Sequence, residues 1–155
     1  MQTTVPPAVD LKHLHDEDLE NYVRGRLGAR HAATAEAHLL ECEHCRVRVG
    51  LFVGLHLRLQ FTGTPKPAKQ HKRSEPRFVT GDEAVIRELH PLCFENHRAR
   101  ITDVSTHGLG IQVMKPVLPG TIVQVRIGTA VELGEVRHCH PQGEHGYRIG
   151  LRLSR

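Results

Sequence analysis

The pattern of apolar residues changes near the middle of the chain, and this change most constrains the fold. Apolar residues recur at helical spacing over residues 13–61, whereas after Thr80 they form short alternating or β-branched runs. Residues 62–72 lie between the two patterns and hold two prolines, one glycine, three lysines and no acid, so they cannot build a core. The sequence therefore predicts a multidomain α+β chain, with domains at 11–61 and 73–155 and a linker at 62–72.

The second domain is predicted to be an all-β, six-stranded antiparallel barrel. Six runs of strand-forming residues follow one another at regular spacing, with Pro and Gly at the turns between them. The predicted strands are 84–89, 98–104, 109–114, 121–127, 131–138 and 147–153.

The first domain is predicted to be a small all-α unit. Acidic residues at 16–18 suit the start of a helix, Leu19, Val23 and Leu27 form one stripe along it, and Gly28 ends it. A second helix is predicted over 31–40. Because a domain of about 60 residues or fewer buries little surface, it needs a metal or disulfides for stability.

A metal site is predicted where the second helix ends. His38, Cys42 and Cys45 form an H-x3-C-x2-C pattern, in which one helical turn and one tight turn bring three zinc ligands together. Closely spaced cysteines in a reducing compartment favour metal binding over a disulfide. The alternative is that both cysteines are small buried apolar residues and that His38 is an exposed helix residue.

The fourth zinc ligand is predicted to be His13, because it would close the two helices onto each other. The alternatives are His15, His31 and His44. The stretch from His13 to Arg46 also resembles the zinc-binding anti-sigma factor domain in its acidic first turn, its Gly-x-Leu helix end and its ligand order. This resemblance supports His13 as the ligand and implies a sigma factor as a protein partner.

A second constellation suits an anionic, guanine-bearing ligand. Arg73 and Arg77 lie four positions apart before the first predicted strand, and Asp103, Ser105 and Gly108 form a D-x-S-x-x-G turn. Arginine offers a planar charged fork for a phosphate or a guanine edge, and glycine permits positive φ or close ligand approach. Taken alone, the turn has a simpler explanation as an Asx/ST turn between two strands.

These residues resemble the RxxxR and (D/N)xSxxG signature of the PilZ family, whose members bind the bacterial second messenger cyclic di-GMP. The resemblance runs from about Arg73 to Leu153 and includes the runs 120–127 and 146–153. It implies a PilZ-like barrel over 73–155. It also implies that cyclic di-GMP is bound by Arg73, Arg77, Asp103, Ser105 and Gly108.

Charge and composition argue against several other functions. Residues 1–64 carry seven basic and eight acidic residues, and residues 65–155 carry fourteen and nine, so the basic half holds the arginine motif. Only six aromatic residues are present, and the dense basic and aromatic stripe of a nucleic-acid binder is missing. No catalytic triad, carboxylate pair or phosphate-cradling loop occurs in the sequence, so an enzyme is not expected.

The chain is expected to be cytoplasmic. Residues 1–10 lack the basic and apolar pattern of a signal peptide, and the apolar run 47–61 is too short and too charged to span a membrane. The predicted function is a bacterial receptor for cyclic di-GMP with a structural zinc module that docks to a protein partner. The alternative is an anti-sigma-like transcriptional regulator. In the receptor hypothesis, the ligand orders an arm, residues 66–78, that carries both arginines. This ordering repositions the zinc module against the barrel.

Overall fold

The structure, a computed structural model, describes residues 13–57 and 76–154. The helices are α1 (Asp16–Val23), α2 (Ala29–Glu41) and α3 (Glu43–Leu51), and a π-helical segment, Phe52–Leu57, continues α3. The strands are β1 (Phe78–Val79), β2 (Glu83–His90), β3 (Leu92–Ser105), β4 (Gly108–Val113), β5 (Ile122–Ile127), β6 (Ala130–Pro141) and β7 (Tyr147–Leu153). The predicted fold, helices followed by an antiparallel barrel, is confirmed.

Six strands close the barrel in the order β3-β2-β5-β6-β7-β4, and β4 pairs back onto β3. The two-residue strand β1 pairs with the end of β3 outside this ring. The long strand β3 begins at Leu92, six residues before the predicted start, because its first part pairs with β2 alone. Its last part also pairs with β4, so β3 closes the barrel. A cluster of apolar side chains fills the interior, including Ile86, Ile111 and Ile149.

The first helix ends earlier than the sequence predicts. It stops at Val23, four residues before Leu27, and Gly25 has a φ of +66°. A side chain at position 25 would also lie 2.7 Å from Val131 of the barrel. Contact with the second domain therefore favours glycine here, which helical periodicity could not reveal.

The helical module, residues 13–57, shares a hydrophobic core with the outside of the barrel. Leu89, Ile122 and Leu133 lie on β2, β5 and β6, and they are buried in one cluster with residues of the helices. The helical members of that cluster are Leu19, Tyr22, Val23, Ala35, Leu39, Cys42, Cys45, Val49 and Val53. Burial of these apolar side chains holds the module on the barrel.

Polar contacts complete this interface. The buried amide of Gln124 donates a 2.8 Å hydrogen bond to the carbonyl of Val23, at the end of α1. Arg87 of β2 donates to the hydroxyl of Tyr22 at 2.9 Å and forms an ion pair with Glu36. Burial raises the pKa of Tyr22 to about 12, so this phenol stays protonated. The expectation that the module is repositioned against the barrel conflicts with this shared core.

The described residues include no helix long and apolar enough to cross a membrane.

Candidate ligand and metal sites

The β3–β4 hairpin holds three of the residues predicted to bind the ligand. Asp103 and Ser105 lie near the end of β3, and Gly108 is the first residue of β4, paired with Ser105. The two-residue turn between them brings all three to one end of the barrel wall. Arg77 lies just before β1, whose residue Val79 pairs with Asp103, so the chain carries Arg77 to the same place.

Asp103 is the centre of a charge network. Its buried carboxylate forms an ion pair with Arg77 and a 2.8 Å ion pair with Arg148 of β7, and it accepts a 3.0 Å hydrogen bond from the Thr102 hydroxyl. Burial disfavours the charged form, but these hydrogen bonds outweigh it, so the pKa of Asp103 lies below its ordinary value. Asp103 therefore stays ionised and holds two guanidinium groups in position.

The Ser105 hydroxyl donates a 3.4 Å hydrogen bond to the carbonyl of Gly108. Gly108 does not have the positive φ that the turn motif suggested as one possibility. Instead, a Cβ at this position would lie 2.9 Å from the carbonyl oxygen of Leu151. Glycine is needed here because the neighbouring strand leaves no room for a side chain.

A cavity of about 290 Å³ opens beside this hairpin on the outer surface of the barrel. Its lining includes Arg77, Ser105, Gly108, His138 and Arg152. His107 and Arg137 also line it. Arg73 lies outside the described residues, so its predicted place at the site stays a prediction.

Sequence reasoning missed Arg148 as a partner of Asp103. Arg148 follows Tyr147 in the run that resembles the PilZ pattern, but only the pairing of β4 with β7 brings it across to β3. Gly110 was missed for the same reason, since a Cβ there would lie 2.1 Å from an Asp103 carboxylate oxygen. The sequence signal that could have identified Gly110 was the presence of a second glycine two residues after Gly108.

The four residues predicted to bind zinc lie together in the helical module. The Nδ1 or Nε2 atoms of His13 and His38 and the Sγ atoms of Cys42 and Cys45 all lie within 4.8 Å of one another. The His38 nitrogen is 3.3 Å from the Cys45 sulfur, and the His13 nitrogen is 3.4 Å from the Cys42 sulfur and 3.7 Å from that of Cys45. Tetrahedral zinc with ordinary bond lengths separates such sulfur and nitrogen ligands by about 3.6 Å. The geometry fits that ion.

Local structure explains how these ligands meet. Cys42 is the extended residue between α2 and α3, so His38 lies in the last turn of one helix and Cys45 in the first turn of the next. Arg48 of α3 donates a 2.7 Å hydrogen bond to the carbonyl of Leu14, which ties the neighbouring His13 down over the cysteines. This tie explains why a residue 25 positions before His38 reaches the cluster.

The alternative fourth ligands are not members of this cluster. His15, His31 and His44 do not belong to the metal-ligating group found among the described residues. His44 instead places its ring 4.4 Å from the ring of His13, between centroids.

Comparison with known proteins identifies the second half of the chain. The family model described as PilZ domain matches residues 71–155, more than half of the 155 residues. A search of curated proteins gave no match. The family match does not extend to the helical module, so the likeness of its sequence to anti-sigma factor domains stays a prediction.

Proposed function

Because the chain belongs to the PilZ family, we propose that it is a cyclic di-GMP receptor whose ligand site lies on the outer surface of β3, β4 and β7. PilZ is a binding domain and not a catalytic one. The residues proposed to bind the nucleotide are Arg73, Arg77, Asp103, Ser105 and Gly108. The observation that carries the proposal is that Arg77, Ser105 and Gly108 line one cavity, beside which Asp103 holds Arg77.

Arg77 is proposed to grip a phosphate or the O6/N7 edge of a guanine. Its side chain is 39% exposed, so a ligand can reach it, while its partner Asp103 is buried. A guanidinium held by a buried carboxylate loses little conformational freedom when the ligand arrives, which favours binding. Arg148, held by the same carboxylate, adds a second positive charge to this surface.

The hairpin supplies the short-range contacts. Among the described residues, the Ser105 hydroxyl is held by a long bond to Gly108, which a ligand oxygen could replace as its acceptor. The absence of a side chain at Gly108 permits close approach of the ligand to the backbone. Arg73 is proposed to close over the ligand from the arm that precedes Arg77.

Nucleotide selectivity tests this function directly. Titration calorimetry of the full chain should show binding of cyclic di-GMP and much weaker binding of cyclic di-AMP, whose adenine lacks the O6 acceptor that an arginine recognises. Equal affinity for the two dinucleotides would remove the guanine-specific part of the proposal, and no binding of cyclic di-GMP would remove the proposed function.

The helical module is proposed to hold one structural zinc ion through His13, His38, Cys42 and Cys45. Two thiolates and two imidazoles form a closed four-coordinate set, which is typical of structural rather than catalytic zinc. Both cysteines are buried, and a bound ion would link the segment before α1 to the α2–α3 junction. Elemental analysis should find about one zinc per chain. Cys42→Ser should abolish it, whereas Cys139→Ser, which changes a cysteine outside the cluster, should not.

The zinc module is further proposed to dock a protein partner through an apolar strip. The strip consists of Leu40, Val47, Leu51 and Leu55, whose side chains are all more than half exposed. Three of them recur every four residues along α3 and its continuation, which suits an amphipathic helix of a partner. The anti-sigma-like alternative would use the same strip to bind a sigma factor. Loss of partner capture in Leu51→Glu, with unchanged cyclic di-GMP affinity, would support docking through this strip.

A further inference from the structure

His138 and Gly150 form an unusual pair beside the ligand cavity. They are directly opposite each other on β6 and β7. A Cβ at Gly150 would lie 2.1 Å from Cε1 of the His138 ring and 2.3 Å from its Nε2. The edge of the imidazole therefore occupies the space that a side chain at position 150 would fill. Glycine allows the ring to lean across the neighbouring strand.

The His138 ring is held between a second imidazole and the ligand cavity's lining. It stacks on His140, with ring centroids 5.2 Å apart and planes inclined by 29°. His138 lines the ligand cavity, and His140 is not among the residues that line it. Partial burial lowers the pKa of His138, and the charges of His140, Arg77 and Arg148 lower it further. The ring is consequently neutral at pH 7.

The size of the cavity suits part of the nucleotide rather than all of it. Its volume of about 290 Å³ is at the small end of ligand pockets, which span about 300–1,000 Å³. Its lining combines cationic residues, Arg77 among them, with two imidazole rings, those of His107 in the hairpin turn and His138 on β6. Purine bases stack on aromatic side chains, and their attached phosphates pair with arginine.

We infer that one guanine base of cyclic di-GMP stacks on the cavity face of His138, and that Gly150 is required because it lets the ring take this position. This inference rests on the proposed receptor function and extends it to a residue outside both arginine and hairpin motifs. The stack would run from the base through His138 to His140. His138 thereby recognises the base, while Arg77 and the hairpin hold the rest of the nucleotide.

Four variants of the full chain, titrated with cyclic di-GMP, test the inference. His138→Ala should weaken binding roughly five- to a hundredfold, the range typical of losing one base stack. His138→Phe keeps an aromatic face and should bind within about threefold of the wild type, whereas His138→Gln keeps a polar group without a ring and should match His138→Ala. The matched control is His145→Ala, an exposed histidine that lines a different groove and should have no effect.

Gly150→Ala tests the position of the ring. It should weaken binding as His138→Ala does, and the double variant should be no weaker than either single variant, because both changes remove the same contact. Wild-type affinity in His138→Ala, or equal affinities of His138→Phe and His138→Gln, would overturn the stacking role. Wild-type affinity in Gly150→Ala would overturn the role of glycine. Failure of the wild type itself to bind would instead place the error in the proposed receptor function.

Discussion

Gln124 of the barrel donates a hydrogen bond to the carbonyl of Val23 and so completes the last turn of α1 in the helical module. The same amide lies 3.4 Å from the carbonyl of Tyr22. The final carbonyls of a helix have no partner within the helix, and burial makes an unpaired one costly. The Gln124 side chain of the barrel thus supplies a hydrogen-bond donor to the last carbonyl of a helix in the helical module.

Replacing Gln124 with leucine should therefore destabilise the whole chain. The carbonyl of Val23 would lose its donor, which costs about 1–3 kcal/mol, whereas the carbonyl of Tyr22 keeps its hydrogen bond from the Gly25 amide. Urea unfolding followed by circular dichroism measures this change in the free energy of unfolding. The control is Gln112→Leu, whose amide bonds to the carbonyl of His145 at the surface. An equal and small effect in both variants would show that the interface does not depend on Gln124.

Removal of zinc should affect the barrel as well as the helices. The cysteines belong to the cluster that covers Leu89, Ile122 and Leu133, so melting of the module would expose these barrel residues. We expect a chelator to lower the helical circular dichroism signal and to induce binding of a hydrophobic dye, because metal binding and folding of the module are coupled. An undiminished helical signal after complete metal removal would contradict the structural role of the ion.

The Asp103 network predicts a pH-dependent contribution to stability. Since the folded pKa of Asp103 lies below its unfolded value, its contribution is fully present above about pH 4 and is lost as the pH falls through the folded pKa. Asp103→Asn should lower the free energy of unfolding by about 1–3 kcal/mol at pH 7. The difference between the two proteins should shrink below pH 4, and loss of metal in acid would affect both alike. A difference that is constant from pH 7 to pH 3 would contradict the proposed charge network.

Ligand binding should slow hydrogen exchange in the arm, residues 66–78, and should leave the position of the helical module on the barrel almost unchanged. Hydrogen exchange over residues 66–78 should slow when cyclic di-GMP binds, because Arg73 and Arg77 are proposed to hold it. Peptides that contain Tyr22 and Gln124 should be protected with and without ligand, and small-angle scattering should show little change in dimensions, because the domains share a core. A large change in dimensions on saturation would instead support the repositioning expected from the sequence.

Sequence patterns predicted the parts of this molecule that are determined by residues close to one another in the sequence. The six barrel strands follow from alternation between turn residues, and four of them, β2, β4, β5 and β7, begin and end within one residue of the prediction. The strand β3 begins six residues earlier than predicted, and β6 ends three residues later, at Pro141. The convergence of His38 with the two cysteines follows from their spacing around the α2–α3 junction, whereas His13 reaches them through the hydrogen bond of Arg48 to the Leu14 carbonyl. The strands and the three-ligand set are determined by residues that are close together in the chain.

The contacts between distant segments could not be predicted in this way. Gln124 reads as an ordinary polar residue in a strand, yet it is buried because the module covers the outer face of β5. Arg148 and His138 become part of the ligand surface only through the pairing of β7 with β4 and β6. The need for glycine at position 25 likewise depends on Val131, more than 100 residues away. Periodicity carries no information on such packing.

The most direct test of the account compares two arginine variants in their affinity for cyclic di-GMP. Arg77→Ala removes the cation that Asp103 holds beside the cavity, and Arg126→Ala removes an exposed arginine of β5 that does not line the cavity. Calorimetry of the full chain should show about a tenfold to hundredfold loss of affinity in Arg77→Ala and no loss in Arg126→Ala. Equal affinities of the wild type and Arg77→Ala would contradict the account.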